Sequence, residues 1–271
     1  MAKRLHNNGH FVNVYDVDGK RIKDFRDYKA AHPHPSQAPD SHALCEDTTL
    51  LGITAHSEII IVCVLNEEQC ESVLEVLLPG IKDTPTGTEG GGVATAGGRL
   101  VSILVTSTVA PDYVAALPSR IDRVQKGSTG APDRVYRIVD APISGGSVRS
   151  ELGSLIVMVG APEEDVDRVE PVLEDMTSYI APGDATAAGG YYVCGPKCGD
   201  GMMVKICHQL IAGSNLACAA EGYALAKACG VFSDAFVEIC TRGAASSFML
   251  QNRGGRIRQA LADDIPPCMS R

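Results

Sequence analysis

The sequence of 271 residues has no long apolar run and no cluster of basic residues. No window reaches the roughly 18 consecutive apolar residues of a membrane span, so none is predicted. Without a basic cluster, and with a net charge of −9 at pH 7, the chain is not expected to bind nucleic acid. The apolar fraction of 45% suffices for a globular core, and the charged fraction of 21% argues against disorder.

Metal-ligand spacing is also missing, although the chain has ten cysteines. Cys194 and Cys198 could begin a metal site, but no second pair follows, so no metal is predicted. The first residues lack the apolar stretch of a secretory signal, and the cysteines are expected to be reduced thiols in the cytoplasm, or in mitochondria if the true N-terminus lies upstream. Four cysteines recur every eleven residues and are predicted to line a buried helix face: Cys207, Cys218, Cys229 and Cys240.

Short apolar runs alternate with helix-like stretches in the first two thirds of the chain, which is typical of a parallel sheet with crossover helices. Several runs are rich in Val, Ile and Leu, as expected of strands covered on both faces. Strands are predicted at residues 11–17, 58–65, 99–108, 136–141, 154–159 and 191–194. Helices are predicted at residues 67–78, 113–125 and 162–176, and the end of another at residues 2–8. Residues 84–98, with six glycines, are predicted to be a linker, since no Gly-Lys-Ser/Thr follows.

After Gly201 the pattern changes to one dominated by Ala, Leu, Ile and Cys. Residues 202–229 contain no proline and predict a helix of about seven turns, apolar on most faces and therefore buried between domains or subunits. A second helix is predicted at residues 233–253. We therefore expect two domains, an α/β domain over residues 1–195 and a helical domain over residues 196–271.

Lys205 and His208 lie one helical turn apart in an apolar segment that follows a glycine-rich corner. A lysine that borders a core loses hydration, which lowers its pKa toward that of a general base. Alone the pattern is weak, because a helical lysine is usually a solvated side chain.

Asp16 closes the first predicted strand. In a dinucleotide-binding fold, a carboxylate at this place accepts hydrogen bonds from the adenosine ribose and favours NAD over NADP. The alternative is an ordinary turn aspartate.

Two further turns place hydroxyl groups at the ends of predicted strands. Ser107 and Thr108 either cap the next helix or face the crevice in which ligands bind. Ser144 and the amides of Gly145 and Gly146 form a natural cradle for a carboxylate, because glycine lets an anion approach the backbone. A plain turn serine is the alternative.

Together these motifs resemble the 3-hydroxyisobutyrate dehydrogenase family of β-hydroxyacid dehydrogenases. The resemblance is carried by STVAP (107–111), DAPISGG (140–146), LGSLIVMVG (152–160) and GDGMMVK (199–205). The features that point to the L-threonate dehydrogenase-like members are VLNEEQ (64–69), the pairing of Lys205 with His208-Gln209, LIAGSNLACAAEGYALA (210–226) and ASSFMLQNR (245–253).

The resemblance implies an α/β fold, with a Rossmann-like, doubly wound, mostly parallel sheet followed by an all-α domain that forms a homodimer or homotetramer. It implies NAD(P)-dependent oxidation of a small hydroxyacid, of the L-threonate or 3-hydroxyisobutyrate type, by hydride transfer with Lys205 as the acid/base. It places Ser144, Gly145, Gly146 and His208 on the substrate.

The resemblance also places five residues beside the cofactor, which is expected to be NAD rather than NADP: Asp16, Leu65, Asn66, Ser107 and Thr108. The family's first strand and its G-x-G-x-x-G turn are expected before Ala2, and its last helices after Arg271. The chain is thus expected to be truncated at both ends. The alternative function is a catalytically inactive homologue that retains only the helical association surface.

Overall fold

The computed structural model describes residues 1–33, 49–84, 98–127, 133–178 and 189–263, without the side chains of residues 53–55. The chain divides into two compact units, Met1–Lys205 and Ile206–Arg271. The predicted domain boundary near residue 195 stays a prediction. Most of the predicted glycine-rich linker, residues 85–97, lies outside the described residues.

Helices and strands alternate in the first unit. Its helices are α1 (Ala2–Asn7), α2 (Gly19–Ala31), α3 (Leu50–His56), α4 (Glu67–Leu77), α5 (Pro111–Gly127), α6 (Gly146–Leu152) and α7 (Glu163–Thr177). Its strands are β1 (Ile59–Val62), β2 (Arg99–Val105), β3 (Arg134–Asp140), β4 (Ile143–Ser144), β5 (Ile156–Gly160) and β6 (Gly190–Gly195). The long helix α8 (Asp200–Ala228) starts in this unit, and α9 (Asp234–Arg242) and α10 (Phe248–Ala262) follow it.

The six strands form one sheet in the order β1-β2-β3-β5-β4, with β6 paired to β5. Strands β1, β2 and β3 are parallel, and Val62, Val105 and Asp140 are register partners at their carboxyl ends. Strand β5 is antiparallel to β3 and β4 but parallel to β6. The predicted α/β fold with a mostly parallel sheet is confirmed, although the antiparallel pairing around β5 is not anticipated by the sequence.

The two faces of the sheet pack against different helices. Alternate residues of a strand point to opposite faces, and in β1 Ile60 and Val62 join the core cluster that contains Leu74 of α4. Ile59 and Ile61 pack against the other cluster, which contains Leu173 of α7. Because both faces are covered, the strands read as nearly continuous apolar runs, as the sequence predicts.

The strand predicted at residues 11–17 is wrong, because this segment forms no strand and α2 begins directly after it. A strand is stable only when a neighbour satisfies its backbone groups, and this segment pairs with none of the described strands. The carboxylate of Asp18 instead caps α2 by accepting a hydrogen bond of 2.9 Å from the Lys20 N–H. Aspartate is a preferred residue at this position.

The single helix predicted at residues 233–253 is also wrong, since α9 and α10 are separate helices. Helix α9 ends at Arg242 and is followed by Gly243. Helix α10 starts after Ser247, whose hydroxyl accepts a hydrogen bond of 3.1 Å from the Leu250 N–H. A glycine after one helix and a serine cap before the next are ordinary stop and start signals.

The second unit is built around an aromatic cluster. The ring of Tyr223 in α8 lies 5.3 Å from that of Phe232 and 5.7 Å from that of Phe236, in tilted and edge-on arrangements typical of aromatic pairs. Leu250 and Ile257 of α10 complete this core. No helix in the described part of the chain is long and apolar enough to cross a membrane.

One face of α8 does not follow the prediction. The thiols of Cys207, Cys218 and Cys229 are exposed, so the buried cysteine face is not formed within this chain. Six large apolar side chains of α8 are also exposed: Met203, Val204, Ile206, Leu210, Ile211 and Leu225.

An ion pair between Glu71 and Arg120 joins α4 to α5. Glu71 accepts a hydrogen bond of 2.7 Å from the Tyr113 hydroxyl, and both of its carboxylate oxygens accept from the Arg120 guanidinium. Arg120 also donates to the Ile81 carbonyl over 2.7 Å, and its side chain is 4% exposed. Burial alone would raise the pKa of Glu71, but the hydrogen bonds and the guanidinium charge outweigh it and lower the pKa.

We expect Glu71→Gln to reduce the free energy of unfolding by about 3 kcal/mol, because the buried charge of Arg120 loses its partner. The control Glu68→Gln, at an exposed position of the same helix, should stay within about 0.5 kcal/mol of the wild type. Since the folded pKa of Glu71 is lowered, its stabilisation is present above the ordinary value of 4.5 and is lost as the pH falls. Urea unfolding should therefore show that the difference in unfolding free energy between the wild type and Glu71→Gln shrinks in acid. A difference that does not depend on pH would contradict the ion pair.

Candidate functional site

The carboxyl ends of β1, β2 and β3 lie side by side at one edge of the sheet, because Val62, Val105 and Asp140 are register partners. Ligands of open α/β sheets bind at this edge. Four of the predicted cofactor residues follow these strand ends directly: Leu65, Asn66, Ser107 and Thr108. The structure therefore brings them to the same edge.

The hydroxyl of Ser107, which follows β2, bonds to the backbone at the end of β1. It accepts a hydrogen bond of 2.7 Å from the Val64 N–H and donates to the Val62 carbonyl over 3.4 Å. The side chain is buried, whereas that of Thr108 is exposed. Ser107 therefore holds the two loops together, and Thr108 is the hydroxyl of this turn that solvent reaches.

The loop after β1 is held by a reciprocal cap at the start of α4. The side chain of Asn66 accepts a hydrogen bond of 2.9 Å from the Gln69 N–H, and the side chain of Gln69 accepts one of 3.0 Å from the Leu65 N–H. This arrangement satisfies two free amides of the helix start. It leaves the Leu65 side chain 87% exposed at the sheet edge.

The predicted substrate cradle lies in the turn between β4 and α6. Ser144 is the last residue of β4 and pairs with Ile156 of β5. Gly145 and Gly146 follow with φ angles of 139° and 66°, which favour glycine. A Cβ on Gly145 would lie 2.8 Å from the Cβ of Arg149, so both the backbone angle and the space require glycine there.

Asp16 lies in an exposed turn before α2 and not at the end of a strand. Its carboxylate accepts a hydrogen bond of 2.9 Å from the Asp18 N–H and one of 3.3 Å from the Arg21 guanidinium. The guanidinium is a neighbour that the sequence analysis missed, although Arg21 lies only one helical turn into α2. The predicted cofactor role of Asp16 stays a prediction.

The start of α8 is bonded to the end of β3. Oδ2 of Asp140 accepts hydrogen bonds of 2.8 Å from the Gly199 N–H and 2.9 Å from the Met202 N–H. The carboxyl group is completely buried. Burial raises the pKa of Asp140 to about 6, although the backbone hydrogen bonds from the helix start oppose this shift.

Two glycines allow this close approach. A Cβ on Gly201 would lie 2.4 Å from the Met158 carbonyl oxygen of β5. A Cβ on Gly160 would lie 2.6 Å from the Lys197 carbonyl oxygen and 2.7 Å from the Gly201 nitrogen. Backbone atoms cannot give way as a flexible side chain can, so the first turn of α8 rests directly on the end of β5.

Lys205 lies on α8 three residues after Met202, and its side chain is 4% exposed. Burial is the cause that lowers its pKa, as the sequence analysis expects for a lysine beside a core. Within the described residues, its ammonium has no hydrogen-bond or ion-pair partner. His208 lies in the same helix and is half-buried.

Asp140 was not predicted to be a part of the site. A signal for it exists, because Asp140 ends strand β3 and is the first residue of DAPISGG. Its partners lie 59 and 62 residues further on, so no local pattern reveals the contact. Among the described residues no group of His, Cys, Asp and Glu side chains is suited to a metal ion.

Comparisons with known proteins match both parts of the chain. Residues 199–265 match the family described as the NAD-binding domain of NADP-dependent 3-hydroxyisobutyrate dehydrogenase. Residues 116–189 match the NAD-binding domain of 6-phosphogluconate dehydrogenase.

Among curated relatives, the L-threonate dehydrogenase of Cupriavidus necator is 31% identical over 209 residues, which are 77% of this chain and 58% of that protein. The 2-(hydroxymethyl)glutarate dehydrogenase of Eubacterium barkeri is 30% identical over 154 residues, 57% of this chain and 46% of that protein. The chain thus spans about half the length of these relatives, 58% of the first and 46% of the second.

A crystal structure of 3-hydroxyisobutyrate dehydrogenase from Salmonella typhimurium shares the fold, with a TM-score of 0.62 and 21% identity. The similarity covers 97% of this chain and 74% of that one.

Two glycine-to-alanine substitutions in α8 should have opposite effects on stability. Gly201→Ala places a methyl group against the Met158 carbonyl and should cost about 1–3 kcal/mol of unfolding free energy. Gly213→Ala meets no atom within 4 Å and should stabilise the chain by about 0.5–1 kcal/mol, because alanine favours the helix. Thermal unfolding of both variants tests this difference, and equal changes would contradict the tight contact at Gly201.

Proposed function

Because this chain belongs to the 3-hydroxyisobutyrate dehydrogenase family, we propose that it carries out NAD(P)-dependent oxidation of the hydroxyl group of a small hydroxyacid. The observation that carries the proposal is Lys205, a buried lysine with a lowered pKa. Helix α8, which carries it, starts at the carboxyl edge of the sheet. The substrate is proposed to be of the L-threonate or 3-hydroxyisobutyrate type.

Lys205 is the proposed acid/base. In its neutral form it accepts the proton of the substrate hydroxyl, and in the reverse direction its ammonium returns that proton. Burial favours the neutral form, because desolvation disfavours the charged amine. Positioned acid/base groups of this kind contribute roughly 10²–10⁴-fold to the rate.

The residues at the carboxyl edge fit a dinucleotide cofactor, which would supply the hydride acceptor. The loops after β1 and β2 are joined by Ser107 and present Leu65 and Thr108 to solvent, as a ligand-binding edge requires. Asn66 holds the first of these loops in place. In this proposal Ser107 acts through its loop, and Leu65 and Thr108 contact the cofactor.

We further propose NAD as the preferred cofactor, with Asp16 accepting hydrogen bonds from the adenosine ribose. Arg21 beside it is the type of side chain that accommodates a 2′-phosphate. The values of kcat/KM with NAD and with NADP test this preference. A higher value with NADP would overturn the proposal that NAD is preferred.

The substrate carboxylate is proposed to lie against Ser144 and the amides of Gly145 and Gly146. The positive φ angles of both glycines leave the backbone open to an anion. His208 as a further ligand of the substrate stays a prediction from the family resemblance. The cytoplasmic location stays a prediction from the cysteines and from the missing secretory signal.

Association through the helical part is proposed as well, as a homodimer or homotetramer. Leu210, Ile211 and Leu225 of α8 are large apolar side chains exposed to solvent, and contiguous exposed apolar surface marks interaction sites. The same surface suits the alternative function, an inactive homologue that retains only this association. Calorimetric titration with NAD separates the two, because tight binding contradicts the alternative.

We expect Lys205→Met to lower kcat by roughly 10²–10⁴-fold, because the group that takes the hydroxyl proton is removed. The measurement is NADH formation with L-threonate, 3-hydroxyisobutyrate and 2-(hydroxymethyl)glutarate. Lys126→Met, which removes an exposed lysine from α5, is the control and should leave the rate unchanged. No NADH with any hydroxyacid, or full activity in Lys205→Met, would refute the proposed function.

A further inference from the structure

We propose that Asp140 is a positioning residue for Lys205, whose role as the acid/base rests on the proposed function. Its carboxylate holds the first turn of α8 against the end of β3 and so sets the depth at which Lys205 is buried. Three features of the structure support this role: the hydrogen bonds of Asp140, the packing of the helix start and the spacing between Met202 and Lys205.

The bonds of Asp140 are those of a helix cap supplied from another element. The first amides of a helix have no partner within the helix, and Oδ2 of Asp140 accepts from two of them, those of Gly199 and Met202. A carboxylate at this end is also favoured by the helix dipole. Strand β3 thus provides a part of this cap, and the Lys197 carbonyl provides another by accepting a hydrogen bond of 3.2 Å from the Asp200 N–H.

Close packing also fixes the position of the first turn of α8. Gly160 and Gly201 bring the backbones of β5 and α8 so close that a Cβ on either residue would overlap with backbone atoms. The side chain of Met202 is completely buried in the core cluster formed with β1, β2 and β3. The turn is therefore fixed by the carboxylate on one side and by the core on the other.

Lys205 lies three residues after Met202, so its position depends on that of the first turn of α8. Residues three apart share a helix face, so Lys205 follows Met202 on the face that is held against the sheet. Lys205 is buried without a counter-charge among the described residues, so the packing of α8 against the sheet affects how much water reaches the side chain. If the first turn moves away from β3, water reaches the amine.

Three variants test this role. Asp140→Ala removes the oxygen that accepts both hydrogen bonds and lets the turn move, so kcat should fall by about 10²-fold, the loss typical of a displacement of roughly 1 Å, with little change in KM. Asp140→Asn keeps an acceptor of the same shape and should retain most of the wild-type kcat. If Asp140→Ala does not fold, Asp140→Ser replaces it, because a serine hydroxyl is too short to reach both amides.

A second readout does not depend on activity. Acetylation of Lys205 by acetic anhydride is followed against pH by mass spectrometry, with exposed Lys126 as the reference. In Asp140→Ala, both the midpoint pH and the plateau rate for Lys205 should rise, because the amine regains water. Asp140→Asn should label like the wild type. Glu71→Gln, a variant weakened elsewhere in the same unit, should also leave the labelling of Lys205 unchanged.

Wild-type labelling and kcat in a folded Asp140→Ala protein would overturn the proposal. Equal losses in Asp140→Asn and Asp140→Ala would overturn it as well, since a neutral acceptor should still hold the turn. If the wild-type chain oxidises no hydroxyacid, the proposed function fails, but the labelling experiment still decides whether Asp140 positions Lys205.

Discussion

The hydrogen bonds between Asp140 and the start of α8 are the interaction on which the proposed site depends. A buried carboxylate is costly unless it is well bonded, and the first amides of a helix are costly when they are buried without an acceptor. Oδ2 of Asp140 and two amides at the start of α8 satisfy one another, so this contact holds the end of the central strand against the start of the lysine-bearing helix. The position of Lys205 follows from that contact.

Close packing of backbone on backbone makes the contact possible. Gly160 ends β5 and Gly201 begins α8, and neither leaves room for a side chain. In the sequence they are only two among many glycines. Their need for glycine comes from a strand and a helix that meet in space, so it is a constraint of tertiary structure that no turn motif expresses.

The sequence was sufficient for elements whose signal is local. Strands β1, β2, β3, β5 and β6 and helices α4, α5, α7 and α8 follow from their apolar runs and periodicity. The predicted burial of Lys205 is confirmed, but the apolar side chains of Met203, Val204 and Ile206 around it are exposed. The segment at residues 11–17 has the same apolar character but is no strand, because a strand also needs a partner that its own residues do not specify. The role of Asp140 was hidden for a related reason, since its partners lie 59 and 62 residues away.

Hydrogen bonding separates two buried polar side chains of the candidate site, those of Ser107 and Lys205. The hydroxyl of Ser107 is satisfied by the backbone of the neighbouring strand end, so its burial is explained by the fold alone. The side chain of Lys205 is equally buried, but no hydrogen bond or ion pair in the described part of the chain compensates for its lost hydration. Such a group weakens the folded state, and a perturbed amine without a structural use is a mark of a reactive site. By this criterion Lys205 is the candidate for chemistry, while Ser107 belongs to the scaffold that shapes the edge of the sheet.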